Sequence, residues 1–316
     1  MHFILTIQLV FRNLLARKGR SILTILGIVI GVAGVILIIA LGAGAQSLVL
    51  SQVNKLGSNL IGILPGKTDE TGPPAAVFGI QITTLTAGDA EALKDKSRVP
   101  HAEAVAAFAR GSGTVLWNNT DVDTYFTGTQ ASAAVVQNIK MDSGRFFDER
   151  EERGSNVMVL GFSIKEQLFP EIDPIGQVVK IKNVPFQIIG VVEKQGTVAF
   201  QNQDDQVYIP LPIAQQQLLG IKHLQFIRAK VDDPAYVTST IEDAKQVIRE
   251  RHNIKRAEDD DFEVRNLADA IKLLEGITNA LRLFLACMAG ISLVVGGIGI
   301  MNIMLVTVSE RTREIG

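Results

Sequence analysis

The sequence predicts a membrane protein: two transmembrane α-helices with stalk extensions flanking a two-lobed α+β extracytoplasmic domain. Three observations predict it. Residues 21–54 and 283–309 are long runs without a single Asp, Glu, Lys or Arg, and a helix needs roughly 20 apolar residues to cross a bilayer. Arg12, Arg17, Lys18 and Arg20 precede the first run and Arg311 and Arg313 follow the second, which puts both ends on the cytoplasmic side. Between the runs, short alternating strand patterns mix with helical ones, as in an α+β domain.

Taken in order, residues 1–20 form a cytoplasmic amphipathic helix. Phe3, Ile4, Ile7, Val10, Phe11, Leu14 and Leu15 keep helical spacing, with Gln8, Arg12, Asn13 and Arg17 largely on the other face. Such a helix can lie in the membrane interface or pack on a protein helix, and the pattern fits both. Residues 21–45 are the first transmembrane helix. Ala43, Gly44 and Ala45 resemble a signal-peptide cleavage site, but the run exceeds the roughly 7–15 apolar residues of a secretory core, which favours an anchor.

Residues 46–280 form the extracytoplasmic domain with its stalks. Leu48, Val49, Val53 and Leu56 prolong the first helix to Gly57. Residues 59–64 read as a strand closed by Pro65 and Gly66, and 67–77 as an exposed loop. Thr86 is the N-cap of a helix over 87–97, with Asp89 at the capping-box position and Ala90 and Leu93 facing inward. Strands are expected at 104–109, 113–117 and 122–127, with a hairpin turn at Asn118 and Asn119. A charged loop over 148–153 precedes a buried strand at 157–161 and a short helix at 163–168. Strands at 178–181 and 186–192 join through Asn183. Residues 207–210 read as an edge strand because of Pro210. A strand at 226–231, an amphipathic helix at 237–251 and a strand at 262–264 complete the domain, whose β-rich lobe spans about 111–215. Leu267, Ala270, Ile271, Leu274, Ile277, Thr278 and Leu281 then form a near-heptad stripe. This second stalk is expected to pack on the first.

Residues 281–308 are the second transmembrane helix, and 309–316 begin a cytoplasmic segment. Gly27 with Gly31, and Ser292 with Gly296, are small-residue pairs that let helices approach closely in lipid, and Asn302 seeks a partner across such an interface. These five are the candidate helix-packing residues.

The net charge is −2, which gives no bulk attraction to nucleic acid. Cys287 is the single cysteine and lies in the second span, so the outer domain has no disulfides. No two of His2, His101, His223 and His252 have ligand spacing, and the metalloprotease and serine-hydrolase motifs are missing. Gly66, Lys67 and Thr68 lack the glycine that a phosphate loop needs five residues upstream, where Ile61 stands. The acidic run 258–261 reads as a solvated turn rather than a calcium loop, and Trp117 and Tyr125 as packing aromatics. The chain is therefore expected not to be an enzyme, with no catalytic, metal or cofactor-binding residue of its own.

The run 296–316 (GGIGIMNIMLVTVSERTREIG) closely resembles the signature of MacB/FtsX-type ABC transporter permeases. Leu56 to Ile61, Gly144 to Phe147, Val159 to Gly161, Ile175 to Gln177, Ile189 to Val191 and Ile209 to Leu211 resemble that family's extracytoplasmic core domain, in the family's order. The resemblance implies a cell (inner) membrane permease subunit of the mechanotransmission or efflux type. It acts as a homodimer or heterodimer with a separate ABC ATPase that binds ATP and Mg, in contact with membrane lipid. A membrane-fusion adaptor and outer-membrane channel are expected where the cell has two membranes. The resemblance assigns ATPase coupling to Glu310, Arg311, Thr312, Arg313, Glu314, Ile315 and Gly316; anchoring of Arg311 and Arg313 at the membrane surface is the other reading. Family members continue into two further spans beyond the equivalent of Gly316, and the macrolide exporter has an ATPase domain ahead of its first span. The sequence is thus expected to be a fragment whose ATPase is another polypeptide. The alternatives are a two-span membrane sensor with an extracytoplasmic ligand domain and a cell-division regulator.

Overall fold

The computed structural model describes residues 59–67, 82–198 and 201–266, together with scattered helical positions within 29–44 and 276–312. The chain divides into two compact units, Met1–Ser51 with Lys272–Gly316, and Gln52–Ile271. Among the described residues, no helix is long and apolar enough to cross a membrane. The two expected spans lie largely outside the described residues, as do the helix over 1–20 and most of both stalks.

The second unit is α+β. Its strands are β1 (Leu60–Pro65), β2 (Ala102–Trp117), β3 (Thr120–Thr129), β4 (Met141–Gly144), β5 (Val157–Leu160), β6 (Val178–Ile181), β7 (Val184–Val192), β8 (Thr197–Val198), β9 (Gln201–Asn202), β10 (Gln206–Pro210), β11 (Phe226–Val231) and β12 (Phe262–Asn266). Its α-helices are α1 (Ala87–Ala92), α2 (Ala133–Val136), α3 (Glu149–Glu152), α4 (Phe162–Leu168), α5 (Leu211–Ile213) and α6 (Val237–His252). A π-helical turn, Ala214–Leu219, continues α5.

One sheet runs β12-β1-β11-β2-β3-β10-β5-β7-β4. β6 bridges β2 and β7, so β2, β3, β10, β5, β7 and β6 close into a barrel. Only β10 with β3 and β5 with β7 are parallel within this sheet. The sheet thus has an open half and a closed half. β2 belongs to both. Its first part pairs with β11 and its last part with β6.

Alternation along β2 explains where the cores lie. Val105, Ala107 and Ala109 face α1 and α6, in a core with Ile61, Ile63, Leu93, Ile227 and Ile248. Val115 on the same face enters the barrel core with Phe126, Leu160, Ile181, Phe186 and Ile188. Leu219 packs against both cores. Ala106 and Phe108 point to the opposite face.

Several expectations differ from this structure. β2 does not break near 111, because Gly111 and Gly113 leave room for neighbours. A Cβ at Gly111 would stand 2.5 Å from Phe126 Cζ and 2.7 Å from Leu219 Cδ2. β10 is not an edge strand. All five residues are buried between β3 and β5, and Pro210, at its end, caps α5. The missing N–H of a terminal proline interrupts no ladder. The charged loop 148–153 holds the short helix α3, capped by Asp148 with Glu151 in a capping box. α1 ends at Ala92 rather than near 97.

Candidate functional site

β1 and β12 are adjacent, antiparallel and consecutive with the two stalk sequences. Ile61 pairs with Asn266 and Pro65 with Phe262. Residue 59 follows the first stalk sequence and residue 267 opens the second. Both chain connections therefore enter the domain side by side, at one end of one strand pair. β1 also pairs with β11 through Leu60–Lys230 to Ile63–Ile227, which ties the seam to the rest of the sheet. Its apolar side chains Ile61 and Ile63 are fully buried under α1 and α6.

The other end of the seam is held by polar links. The Gly66 N–H donates to the Asp261 carbonyl at 2.7 Å, and Thr84 Oγ1 donates to the same oxygen at 2.8 Å. Lys67 Nζ donates to the carbonyls of Ala257 and Glu258 at 2.8 and 2.9 Å. The acidic run at 258–261 is partnered by cations rather than merely solvated. Arg256 holds Asp259, Arg249 grips Asp260 with two hydrogen bonds of 2.8 and 2.7 Å, and His252 Nδ1 lies 2.7 Å from Asp261 Oδ1.

His252 also reaches the buried Asp89, with Nε2 3.3 Å from Oδ2. Arg251 Nε donates to Asp89 Oδ1 at 2.6 Å, while the Thr86 N–H and hydroxyl donate to Oδ2 at 2.8 Å. Asp89 is therefore the capping-box residue of α1 and also the junction of α1 with α6. Burial works to raise its pKa, but the Arg251 guanidinium and the Thr86 donors outweigh it and hold it below the usual carboxylate value. Burial likewise works to lower His252, yet Asp261 and Asp89 hold its pKa above the ordinary imidazole value. The capping box was readable in sequence. The links from Asp89 to Arg251 and His252 were not, because they span 162 and 163 positions and no local spacing marks them.

Most of the core-domain motifs of the family resemblance lie in the barrel half, several as close backbone approaches, while Leu60 and Ile61 stand on β1 in the open half. Gly144 on β4 pairs with Gly190 on β7, and the Arg145 N–H donates to the Ile189 carbonyl at 3.0 Å. A Cβ on Gly190 would meet the Arg145 carbonyl, and one on Gly161 would meet the carbonyls of Asp204 and Gln206. These motif residues set packing.

Of the candidate coupling residues, Thr312 is described. It is helical and exposed, and its hydroxyl donates to the Val308 carbonyl at 2.5 Å. Glu310, Arg311, Arg313, Glu314, Ile315 and Gly316 lie outside the described residues. Among the helix-packing candidates, Gly296 is helical and half-buried, while Gly27, Gly31, Ser292 and Asn302 lie outside. A helix contact that sequence reading missed is present in the first unit. Arg282 lies over the buried Gly42, where a Cβ would collide with the guanidinium.

Residues 21–247 match the family model of the MacB-like periplasmic core domain. The chain belongs to this family. It therefore stands among the MacB-type ABC transporter permeases, and the sensor reading is set aside. It is 38% identical over 307 residues to the macrolide export ATP-binding/permease protein MacB of Azoarcus sp., covering 96% of this chain and 45% of that protein. It is 36% identical to MacB of Wolinella succinogenes, covering 98% of this chain and 46% of that one. The chain thus spans about half the length of these curated relatives. Its fold resembles the crystal structure of the periplasmic region of MacB from Actinobacillus actinomycetemcomitans, at a TM-score of 0.58 and 23% identity, covering 72% of this chain and 96% of that one. It also resembles the extracellular domain of the noncanonic ABC-type transporter YknZ from Gram-positive bacteria, at a TM-score of 0.52 and 21% identity, covering 66% of this chain and all of that one.

Proposed function

We propose that the chain is the permease part of a MacB-type exporter that works by mechanotransmission. Movement of two stalks, driven by ATP hydrolysis on the cytoplasmic side, is delivered to the extracytoplasmic domain. The observation that carries this reading is the β1–β12 seam. Two stalks that enter on neighbouring strands load one hydrogen-bonded pair, so their displacement reaches the whole sheet through β11 and β2. The Gly66–Asp261 and Lys67 hydrogen bonds resist separation of the far end of that pair, and the polar clamp of Asp89, Arg251, His252 and Asp261 ties that end to α1 and α6.

An inner-membrane location for residues 21–45 and 281–308 is supported by their surface. Val29, Ile36, Leu37, Leu283, Phe284, Ile291, Val294 and Leu305 are all more than half exposed on helical positions. Large apolar side chains exposed in such density mark a lipid or protein contact surface. The Gly42–Arg282 contact supports helix pairing where the stalks leave the spans.

ATP and Mg belong, on this reading, to an ABC ATPase that docks on residues 310–316. The relatives are named ATP-binding/permease proteins, and the ATP-binding role is assigned to a partner of this chain. A second permease copy, an adaptor and an outer-membrane channel complete the proposed assembly.

Affinity capture of the full-length protein from detergent extracts tests the docking. The ATPase should be recovered, and the pair Arg311→Glu and Arg313→Glu should cut recovery about tenfold, as loss of close cross-interface charge pairs does. Undiminished recovery with the double variant would remove the coupling role from these residues.

A further inference from the structure

Tyr125, read from sequence as a packing aromatic, is 60% exposed in the structure. Phe126 fills the barrel core, so Tyr125 beside it on β3 points outward. It pairs with Ser112 on β2 and with Gln206 on β10, and the three side chains form a row across the outer wall of the barrel. A cavity of about 530 Å³ lies over this row, within the range of about 300–1,000 Å³ of small-molecule sites. Arg110, Asn202 and Asp205 also line it.

The walls of the cavity are held in place by the fold itself. Gln206 is buried and fixed through both amide atoms. Its Oε1 accepts from Thr127 Oγ1 at 3.1 Å, and its Nε2 donates to the Tyr208 hydroxyl and to Gln203 Oε1, each at 2.8 Å. The buried Asp204 carboxylate accepts the N–H groups of Gln195 and Gly196 at 2.7 and 3.0 Å, which ties the connection after β7 to the one before β10. The Asp204 N–H donates to Asn202 Oδ1 at 3.0 Å. Asn202 and Asp205 are thus presented to the cavity by a fixed turn.

Several groups of the lining keep bonding capacity. Among the described residues, the Asp205 carboxylate, the Tyr125 and Ser112 hydroxyls and Asn202 Nδ2 make no hydrogen bond. They comprise an acceptor, a donor and two groups that are both. Arg110 and Asp205 give the lining one charge of each sign. A ligand charged with either sign meets a like charge there, and a neutral one is repelled by neither. β3 is paired on both sides, by β2 and β10, so this wall offers no strand edge to an extended peptide. The site is therefore a flat aromatic face rimmed by short polar side chains. A sugar ring is its complement: a face of C–H groups with a rim of hydroxyls that donate and accept.

We propose that this cavity is a saccharide-binding site. One pyranose ring lies with its C–H face on the ring of Tyr125, and its hydroxyls bond to Asp205, Asn202 and Ser112. The site depends only on the domain fold and stands whether or not the stalks transmit force.

Saturation-transfer NMR on the 316-residue chain tests it, in micelles of a detergent without a sugar headgroup and with maltotriose and chitotriose as separate probes. At least one should bind saturably, with its ring C–H protons receiving most of the transfer. Preference for maltotriose identifies a site that reads hydroxyls, and preference for chitotriose one that also reads an acetamido group. Tyr125→Ala should weaken binding about tenfold and Tyr125→Phe less than about threefold, since phenylalanine keeps the face. Tyr125 is mostly exposed, so Tyr125→Ala should melt as the parent does, and its lost binding reports the site rather than the fold. Asp205→Ala is the independent second variant and should weaken binding about tenfold through loss of a charged acceptor. Inorganic phosphate and benzylamine in excess should leave the sugar bound. The proposal is overturned if neither sugar saturates, if either alanine variant binds as the parent does, or if phosphate or benzylamine displaces the sugar, which would make the site one for charged ligands.

Discussion

The two halves of the sheet are stabilised by different means. The open half, β12-β1-β11 with α1 and α6, is cross-linked by charge: Asp89 with Arg251 and His252, Asp261 with His252, Asp260 with Arg249, and Glu250 with Arg98. The barrel half is closed by packing. Its strands β5 and β10 are buried at every residue, and its glycines sit where backbones nearly touch. The difference follows from what each half must tolerate. A barrel has no free edge and its interior excludes water, so its stability rests on fit. The open half receives two chain connections on adjacent strands, and directional links between α1, α6 and β12 fix their geometry.

The comparison is broken most strongly in the barrel. Gly161→Val drives a side chain into two backbone carbonyls that cannot retreat, and should lower stability by about 3 kcal/mol in thermal or urea denaturation. A smaller loss follows in the clamp. Asp89→Asn removes the carboxylate that serves Arg251 and His252 but keeps a capping oxygen for α1. With Arg251 partly exposed, the expected loss is about 2 kcal/mol, between that of a helix cap and that of a broken buried pair.

The clamp also carries a pH signature above the carboxylate range. Folded His252 titrates above 6.5, so the folded form keeps a proton that the unfolded chain has already released. Its contribution is complete below pH 6.5 and is lost as the pH rises through the raised folded value. Melting temperature should therefore fall across that window, and His252→Gln should flatten the slope. The smallest effect belongs to the surface pair Arg256–Asp259, which is 70% and 53% exposed; Arg256→Ala should leave the melting curve unchanged.

Short-range physics made much of the domain legible in advance. The Thr86–Asp89 capping box forms, Ala90 and Leu93 are buried beneath it, and the turns at Asn118 and Asn183 adopt the positive φ that asparagine tolerates. Errors arose where distant neighbours decide. Gly111 looked like a strand break until Phe126 and Leu219 filled the space beside it. Pro210 looked like an edge marker until barrel closure buried its strand. The His252–Asp261 clamp depends on a turn between α6 and β12, and the Ser112–Tyr125–Gln206 row on the register of β3 with β2 and β10. Neither leaves a local pattern. The family motifs were legible as a set, although the structure uses their glycines for packing rather than chemistry.

The seam is tested most directly by making one of its connections slack. Four glycines inserted between Ser58 and Asn59, just before β1, leave the sheet intact but let the first stalk move without pulling on β1. With the transporter assembled in the membrane, transport and ATP hydrolysis are then measured together. Transmission through the β1–β12 pair predicts continued ATP hydrolysis with transport lost. Transport retained at the parent rate would contradict it.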